Sequence, residues 1–331
     1  MPPRRKPGRR ILRTLLPVAG LLALGLCAGV VYLGYAVTRP PSNPYLLTPE
    51  SFNEISARGV KATEETWKNA DGTAARGWLL RGDEGAPAVI LLHGYGLDRS
   101  ALLNLGVKLN ETSNFTVLWP DLRGHGRNPP VSTTTFGPRE AEDLSGAVAF
   151  LRTLKSGRQQ PLAGPSLGIY GVELGAYAAL AWSARGGEEA GNLRGLALDS
   201  VPAAPQDLLH AALSTRLGFE NGLLRALTRA GARLMLLGKY DDTPSCQHAA
   251  QLKRPALLLL TGADAGPLRD STRDLTRCFP DEAPIEIKDD LPVSGTRLSS
   301  STGPSGEGYD LLIIEFFSRT LRPDAAPAAA R

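Results

Sequence analysis

The chain has 331 residues, of which 42% are apolar and 21% charged, a composition typical of a globular protein. Its formal net charge of +4 originates at the N-terminus, where no acidic residue precedes Glu50 and residues 1–13 contain six basic residues: Arg4, Arg5, Lys6, Arg9, Arg10 and Arg13. Without these six charges the remainder carries −2. The body of the protein therefore lacks the basic surface of a nucleic-acid-binding protein, and we predict no nucleic-acid partner.

A long uncharged segment follows the basic residues. Residues 14–37 would span about 36 Å as a helix, enough to cross a bilayer with some tilt, whereas the apolar core of a cleaved signal peptide has only about 7–15 residues. Basic residues dominate residues 1–13, and only Arg39 follows the segment closely. This asymmetry predicts a single-pass membrane anchor with a cytoplasmic N-terminus, a linker over 38–57 and an extracytoplasmic globular domain.

Three cysteines are present. Cys27 lies within the apolar segment and is interpreted as a small apolar residue of the membrane helix. Cys246 and Cys278 lie in the globular part, where a disulfide bond between them and two buried thiols are both compatible with the sequence.

From residue 58, short apolar runs alternate with helical patterns, which predicts an α/β fold with a mostly parallel sheet. The predicted strands are a hairpin over 59–80 that turns at 69–72, followed by 88–94, 115–121, 166–171, 193–200, 255–262 and 283–289. The predicted helices are 99–110, 139–154, 174–185, 220–238, 267–278 and 308–321. Leu144, Val148 and Leu151 share one face of the second helix. Residues 202–245 lack strand signals and are interpreted as a helical cap, and 322–331 as a disordered tail.

Four motifs lie at the ends of the predicted strands. The segment 171–175 reads GVELG, which is the nucleophile elbow G-x-S-x-G with Glu173 in place of serine. Residues 91–96 read LLHGYG, residues 120–126 read PDLRGHG, and the first hairpin carries DG at 71–72 with GW at 77–78. With these motifs the chain resembles the α/β-hydrolase superfamily over residues 58–321. Within that superfamily it is most similar to membrane-anchored bacterial esterase- or peptidase-like members.

The resemblance implies a doubly wound α/β-hydrolase sheet with a cap insertion, and it assigns roles to particular residues. Glu173 would occupy the nucleophile position, framed by Gly171 and Gly175. Asp264, after the strand 255–262, would be the triad acid. Backbone N–H groups near Gly94, Tyr95 and Leu174 would form the oxyanion hole. The remaining motif residues would be structural, with no catalytic role for the histidines: His93, Asp121, Arg123, Gly124, His125 and Gly126.

The triad implied by this resemblance is degenerate. Acyl transfer requires a nucleophile, a base and an acid that orients the base. The base should come from residues 289–310, where Thr296 or Arg297 stands at the expected position and no histidine is present. Apart from the two motif histidines, the chain contains only His210 and His248, which would have to reach in from the cap.

Two outcomes remain open for Glu173. Some members of this fold attack through an aspartate at the elbow, but glutamate is longer by about 1.5 Å, a displacement that can cost about 10²-fold in rate. In an apolar pocket Glu173 would have a raised pKa and could act as an acid or base by itself. Alternatively, it would form an ion pair with Arg123 or Arg297.

Three functions follow from these residues. The leading hypothesis is a catalytically silent hydrolase-like protein that binds a small hydrophobic ligand or a protein partner through the old active site. The second is an esterase, peptidase or epoxide-hydrolase-like enzyme that uses Glu173. The third is a partner-binding module for which the pocket is irrelevant, and an exposed apolar patch on the cap would favour it. We predict no metal and no cofactor, because neither metal-ligand spacing nor a P-loop is present.

Overall fold

The computed structural model describes most of the chain. The described residues are 8–41, 44–45, 47–51, 61–218, 221–252, 255–281, 283–296 and 303–322, without the side chains of 8–14. The predicted tail beyond Arg322, the position of Arg297 and parts of the linker therefore lie outside the described residues.

The described strands form one sheet in the order β1-β2-β4-β3-β5-β6-β7-β8. Strand β2 pairs antiparallel with β1 and β4, and the other neighbours pair in parallel, which confirms the predicted mostly parallel α/β fold. The strands are β1 Thr63–Lys68, β2 Ala74–Leu80, β3 Ala86–Leu92, β4 Thr116–Pro120, β5 Ala163–Val172, β6 Leu193–Asp199, β7 Ala256–Gly262 and β8 Ile285–Leu291. The last strand thus begins two residues later than the predicted 283–289.

Helices cover both faces of the sheet. They are α1 Gly8–Thr38, α2 Leu103–Ser113, α3 Pro138–Thr153, α4 Leu174–Arg185, α5 Pro205–Leu217, α6 Gly222–Leu236, α7 Ser245–Ala249, α8 Pro267–Leu275 and α9 Gly303–Leu321. The predicted helix 99–110 begins as a 3₁₀ turn, Arg99–Leu102. Helix α9 begins five residues before the predicted 308, because its first turn is rich in glycine, a residue of low helix propensity that indicated a loop.

Two hydrophobic layers enclose the sheet. On one side the buried residues Leu144, Val148 and Leu151 of α3 pack with α4 and the cap, which confirms the predicted face of that helix. On the other side α2 packs against β2 and β4, and α9 packs against β5 and β6, with Phe317 of α9 fully buried. The carboxyl ends of the parallel strands are thereby fixed relative to one another.

Helices α5, α6 and α7 occupy the connection between β6 and β7, where the cap was predicted. A disulfide bond joins Cys246 in α7 to Cys278, just after α8. Of the two alternatives left open by the sequence, the structure has the disulfide bond and not two buried thiols.

Helix α1 has two parts with different surroundings. The segment Leu15–Thr38 has a mean hydropathy of 2.2 and is long and apolar enough to cross a membrane. Residues 15–28 are exposed on all sides, whereas Leu33, Gly34 and Val37 are buried. This second part packs against α6 of the cap.

Candidate active site

The elbow retains the backbone geometry of a nucleophile site. Glu173 lies between β5 and α4 with φ of 47° and ψ of −104°, a left-handed conformation that costs a non-glycine residue about 1–3 kcal/mol. A Cβ built on Gly171 would lie 2.5 Å from the backbone of Gly175, and one built on Gly175 would overlap the backbone of Leu92. Both glycines are therefore required for α4 to pack so closely on the strands.

The Glu173 carboxyl group turns toward the loop after β3. A Cβ built on Gly94 would lie 3.0 Å from Oε2 of Glu173, and the backbone N–H of Tyr95 donates a hydrogen bond to the carboxylate. In the resembling family this N–H would face the developing oxyanion. The Glu173 carboxyl group thus accepts the hydrogen bond of an N–H that the resemblance assigns to the oxyanion hole.

Burial and, to a smaller extent, the negative charge of Asp199 raise the pKa of Glu173 to about 8, against the opposing effect of the hydrogen bond from Tyr95. The carboxyl group is enclosed by protein, although part of the side chain remains accessible to solvent. Because its pKa lies above neutrality, Glu173 is mostly protonated at pH 7. In this form it is a neutral hydrogen-bonding group.

A second acid, which sequence reasoning did not identify, lies at the end of the neighbouring strand. Asp199 is fully buried and accepts hydrogen bonds from the hydroxyls of Ser200 and Tyr309 and, at 2.8 Å, from the backbone N–H of Gly295. The Tyr309 hydroxyl also lies 2.6 Å from that of Tyr170. Burial raises the pKa of Asp199 to about 6, although these hydrogen bonds stabilise its ionised form.

The predicted acid, Asp264, lies in the turn after β7, as expected from the motif order. Its Oδ1 accepts a hydrogen bond of 2.9 Å from the backbone N–H of Ser294. Asp199 and Asp264 therefore bind consecutive backbone amides of the loop after β8, the loop from which the base would come. In the described structure both acids hold this loop instead of orienting an imidazole.

The loop itself leaves no room for a larger residue at its centre. A Cβ built on Gly295 would lie 2.5 Å from the Tyr170 hydroxyl oxygen and 2.8 Å from Cγ2 of Val172. The neighbouring Thr296 places its hydroxyl 2.7 Å from that of Ser294. A side chain at position 295 would require these buried groups to move.

The two motif histidines connect loops beneath the site. His93 is fully buried, its Nε2 accepts a hydrogen bond of 3.0 Å from the backbone N–H of Leu122, and its Nδ1 donates to the carbonyl of Gly94 at 2.8 Å. His125 donates through Nδ1 to the carbonyl of Arg123 at 2.9 Å. Burial lowers the pKa of both imidazoles, and that of His125 falls to about 3. Both rings are therefore neutral structural groups.

The cap histidines lie at other positions. Nε2 of His248 is 3.2 Å from the hydroxyl of Tyr177, and this hydroxyl donates to the carbonyl of Thr243 at 2.8 Å. His210 is half-buried on α5. In the described structure, burial, the charge of Asp199 and the hydrogen bond from the Tyr95 amide set the pKa of Glu173. Neither cap histidine contributes to it.

The proposed ion pair between Glu173 and Arg123 is wrong. The Arg123 guanidinium donates from Nε to Oδ2 of Asp143 at 2.7 Å, and from Nη2 to Asp71 at 3.2 Å and to Asp143. The motif arginine is thus held by two acids of the first hairpin and α3. The alternative partner, Arg297, lies outside the described residues.

The rest of this motif supports a tight turn. Asp121 accepts hydrogen bonds from the Tyr45 hydroxyl at 2.7 Å and from the backbone N–H of Arg99 at 3.1 Å. Gly124 and Gly126 have φ values of 80° and 78°, which favour glycine. A Cβ on Gly126 would lie 2.7 Å from Oδ1 of Asp121, so the carboxylate packs directly on the turn.

The comparison with known proteins agrees with this geometry. A model of the alpha/beta hydrolase family matches residues 89–299, more than half of the chain. The chain belongs to the alpha/beta hydrolase family.

Its relatives include hydrolases of several kinds. One stretch of 112 residues is 28% identical to thiohydrolase aneE of Aspergillus aculeatus and covers 33% of each chain. Another, of 116 residues, is 28% identical to thiohydrolase apmlB of Arthrinium phaeospermum, covering 34% of this chain and 36% of that protein. The chain thus spans about a third of the length of the curated relatives it matches.

Solved structures share the fold over most of their length. The esterase Pf2001 of Pyrococcus furiosus is 18% identical with a TM-score of 0.62, covering 86% of this chain and 97% of that one. A thermophilic esterase from Thermogutta terrifontis is 20% identical with a TM-score of 0.53, covering 78% of this chain and all of the other. These likenesses show the fold.

Proposed function

We propose that this chain is a membrane-anchored, extracytoplasmic α/β-hydrolase-fold protein without hydrolase activity, which binds a ligand or partner through its former active site. One observation supports this most directly. The Glu173 carboxyl group takes the hydrogen bond of the Tyr95 N–H, and Asp199 and Asp264 bind backbone amides of the loop after β8. These contacts support the proposal, because acyl transfer requires a free nucleophile, a base and an open oxyanion hole.

The proposed anchor and its orientation are supported by features outside the site. The segment Leu15–Thr38 of α1 is long and apolar enough to span a bilayer, and six basic residues precede this segment, which favours a cytoplasmic N-terminus. The disulfide bond Cys246–Cys278 lies in the globular domain, and such bonds persist mainly in oxidising compartments outside the cytoplasm.

The chemistry of the site favours a small, largely apolar ligand. Protonated Glu173 offers a neutral hydroxyl that can donate to a ligand oxygen. Tyr95 is stacked on Phe136 with ring centroids 5.7 Å apart, and Tyr240 packs edge-on against Phe136 at 6.3 Å. Phe136 is fully buried, so these rings form a packed apolar interior behind the Tyr95 loop, and we propose that a small apolar ligand would bind next to them.

The absence of a base can be tested directly. The full-length chain in detergent would be treated with a fluorophosphonate probe, and hydrolysis of p-nitrophenyl esters and acyl thioesters would be measured, because the relatives include esterases and thiohydrolases. We expect no labelling and no turnover above that of the Glu173→Ala variant. We also expect no labelling of Glu173→Ser, since a serine without a base remains unreactive. Rapid labelling of Glu173→Ser would show that a base is in place and would overturn the proposal.

A second candidate function is hydrolysis in which Glu173 itself is the acid or base. The observation that favours it is the pKa of about 8, which is suited to proton transfer near neutral pH. This function requires turnover of an ester, thioester or epoxide that both Glu173→Gln and Glu173→Ala abolish. It also requires a pH profile with an inflection near the pKa of Glu173. Turnover that survives in Glu173→Gln would exclude Glu173 as the proton carrier.

A further inference from the structure

The cap carries an exposed apolar stripe on helix α6. Outside α1, five large apolar side chains are exposed in the described part of the chain: Leu223, Leu234, Leu237, Ile287 and Leu311. Leu223 and Leu234 belong to α6 and Leu237 directly follows it, and these three side chains are 69%, 54% and 82% exposed. Exposure of several large apolar groups on one element marks a surface that contacts something other than water.

The stripe lies along one side of the helix. At about 100° per residue, Leu223, Ala230 and Leu234 fall within an arc of about 40°, and Ala230 is exposed as well. The same helix carries Arg225, Arg229 and Arg233 and no acidic residue. Helix α6 is therefore a basic amphipathic helix, the type that lies in the plane of a membrane interface.

Helix α6 is also the element to which α1 is fixed. A Cβ built on Gly34 would overlap the backbone of Gly231, and one built on Gly231 would overlap the backbone of α1 at Val30. Close crossing through small residues is typical of helices that associate within membranes. A hydrogen bond also holds the end of α1, in which the Tyr95 hydroxyl donates to the carbonyl of Val37 at 2.8 Å. The apolar helix therefore meets the domain at a fixed place rather than through a free tether.

The length of α1 determines how deep this contact lies. The freely exposed part, residues 15–28, is about 21 Å long at 1.5 Å per residue, whereas the hydrocarbon core of a bilayer is about 30 Å thick. The remaining ~9 Å corresponds to about six more residues, which extends the span to Gly34. Because Gly34 crosses α6 at Gly231, the span brings α6 to the boundary between hydrocarbon and headgroups.

We infer that the bilayer crossed by α1 is also the surface on which the cap docks, with the leucine stripe of α6 in the acyl boundary. The inference rests on the membrane anchoring proposed above. In this arrangement α1 and the cap helix α6 bind the membrane together.

The test measures lipid contact at single positions of the full-length chain. In a Cys27→Ser background, Leu223→Cys and Leu234→Cys are labelled with bimane, since Cys246 and Cys278 are joined. Leu24→Cys reports on the anchor, and Leu311→Cys on α9 is an exposed apolar control. Each labelled protein is placed in nanodiscs of phosphatidylcholine and phosphatidylglycerol, with or without a lipid that carries a nitroxide near the headgroup end of its acyl chain.

The expected result is a loss of fluorescence with the nitroxide lipid at positions 24, 223 and 234, and none at 311. Quenching at position 24 together with free access of aqueous iodide to positions 223 and 234 would overturn the inference and leave the anchor in place. Absence of quenching at position 24 would overturn the anchor itself, and the inference with it. Shielding of positions 223 and 234 from both quenchers would show that a protein partner or second copy covers the stripe, which also overturns the inference.

Discussion

Replacing Glu173 with glutamine should change how the stability of the protein depends on pH. The fold raises the pKa of Glu173 from its ordinary value of 4.5 to about 8. Below pH 4.5 the carboxyl group is protonated in both the folded and the unfolded chain, and it contributes no pH dependence. Between pH 4.5 and 8 the unfolded chain releases this proton while the folded chain retains it, so stability falls as the pH rises.

The magnitude follows from the size of the shift. One pKa unit corresponds to about 1.4 kcal/mol. The amount by which Glu173 lowers the free energy of unfolding should therefore grow by about 3 kcal/mol between pH 5 and pH 8. Glutamine has the same shape, can still accept the Tyr95 hydrogen bond and does not titrate. The free energy of unfolding of Glu173→Gln should therefore exceed that of the wild type by an amount that increases with pH.

The assay is urea unfolding in detergent, followed by tryptophan fluorescence at pH 5, 6, 7 and 8. Other titrating groups occur in both proteins, so their contributions largely cancel in the difference. Glu84→Gln at an exposed position is the matched control for the loss of one carboxyl group. If the difference for Glu173→Gln did not change between pH 5 and pH 8, the carboxyl group would not be held protonated next to the Tyr95 amide.

Three further perturbations test other parts of the structure. Gly175→Ala should lower the free energy of unfolding by about 1–3 kcal/mol, because the added Cβ overlaps the backbone of β3. The double variant Cys246→Ser/Cys278→Ser should lose about 3–4 kcal/mol, the chain-entropy value for a closed loop of this length, since the two cysteines are 32 residues apart. Gly231→Ala should cost about 1–3 kcal/mol, because it forces α1 and α6 apart. Urea unfolding measures all three.

Matched glycine substitutions separate crowding from the general effect of an added methyl group. A Cβ on Gly191 or on Gly222 meets no atom within 4 Å, so alanine at either position should be tolerated. Gly191→Ala is the control for the elbow, and Gly222→Ala is the control within α6. Equal losses in test and control variants would contradict the packing argument.

The sheet and the elbow could be predicted because local sequence carries their signal. Residues 88–92 are all apolar, as expected for a strand buried on both faces, and β3 is buried along its whole length. Both glycines of GVELG are required at the same strand-helix turn. Their spacing can therefore be recognised within five residues of sequence. Features of this kind depend on neighbours in sequence.

The hydrogen bonds around the site could not be predicted in the same way. Asp199 contacts Gly295 and Tyr309 across 96 and 110 residues of sequence, and neither contact belongs to a motif. One signal was available, since Asp199 ends a parallel strand at the edge where sites are built. The partners of Arg123 were likewise invisible, because Asp71 and Asp143 reach it from two different elements.

The bond between Tyr95 and Val37 has a practical consequence for protein production. The same tyrosine donates its backbone N–H to Glu173, so the last turn of α1 forms part of the wall around the candidate site. A soluble fragment made by deleting the apolar helix would lose this wall and would expose the face of α6 around Gly231. Ligand screens and crystallisation are therefore best carried out on the whole chain, because the truncated domain would present an altered site.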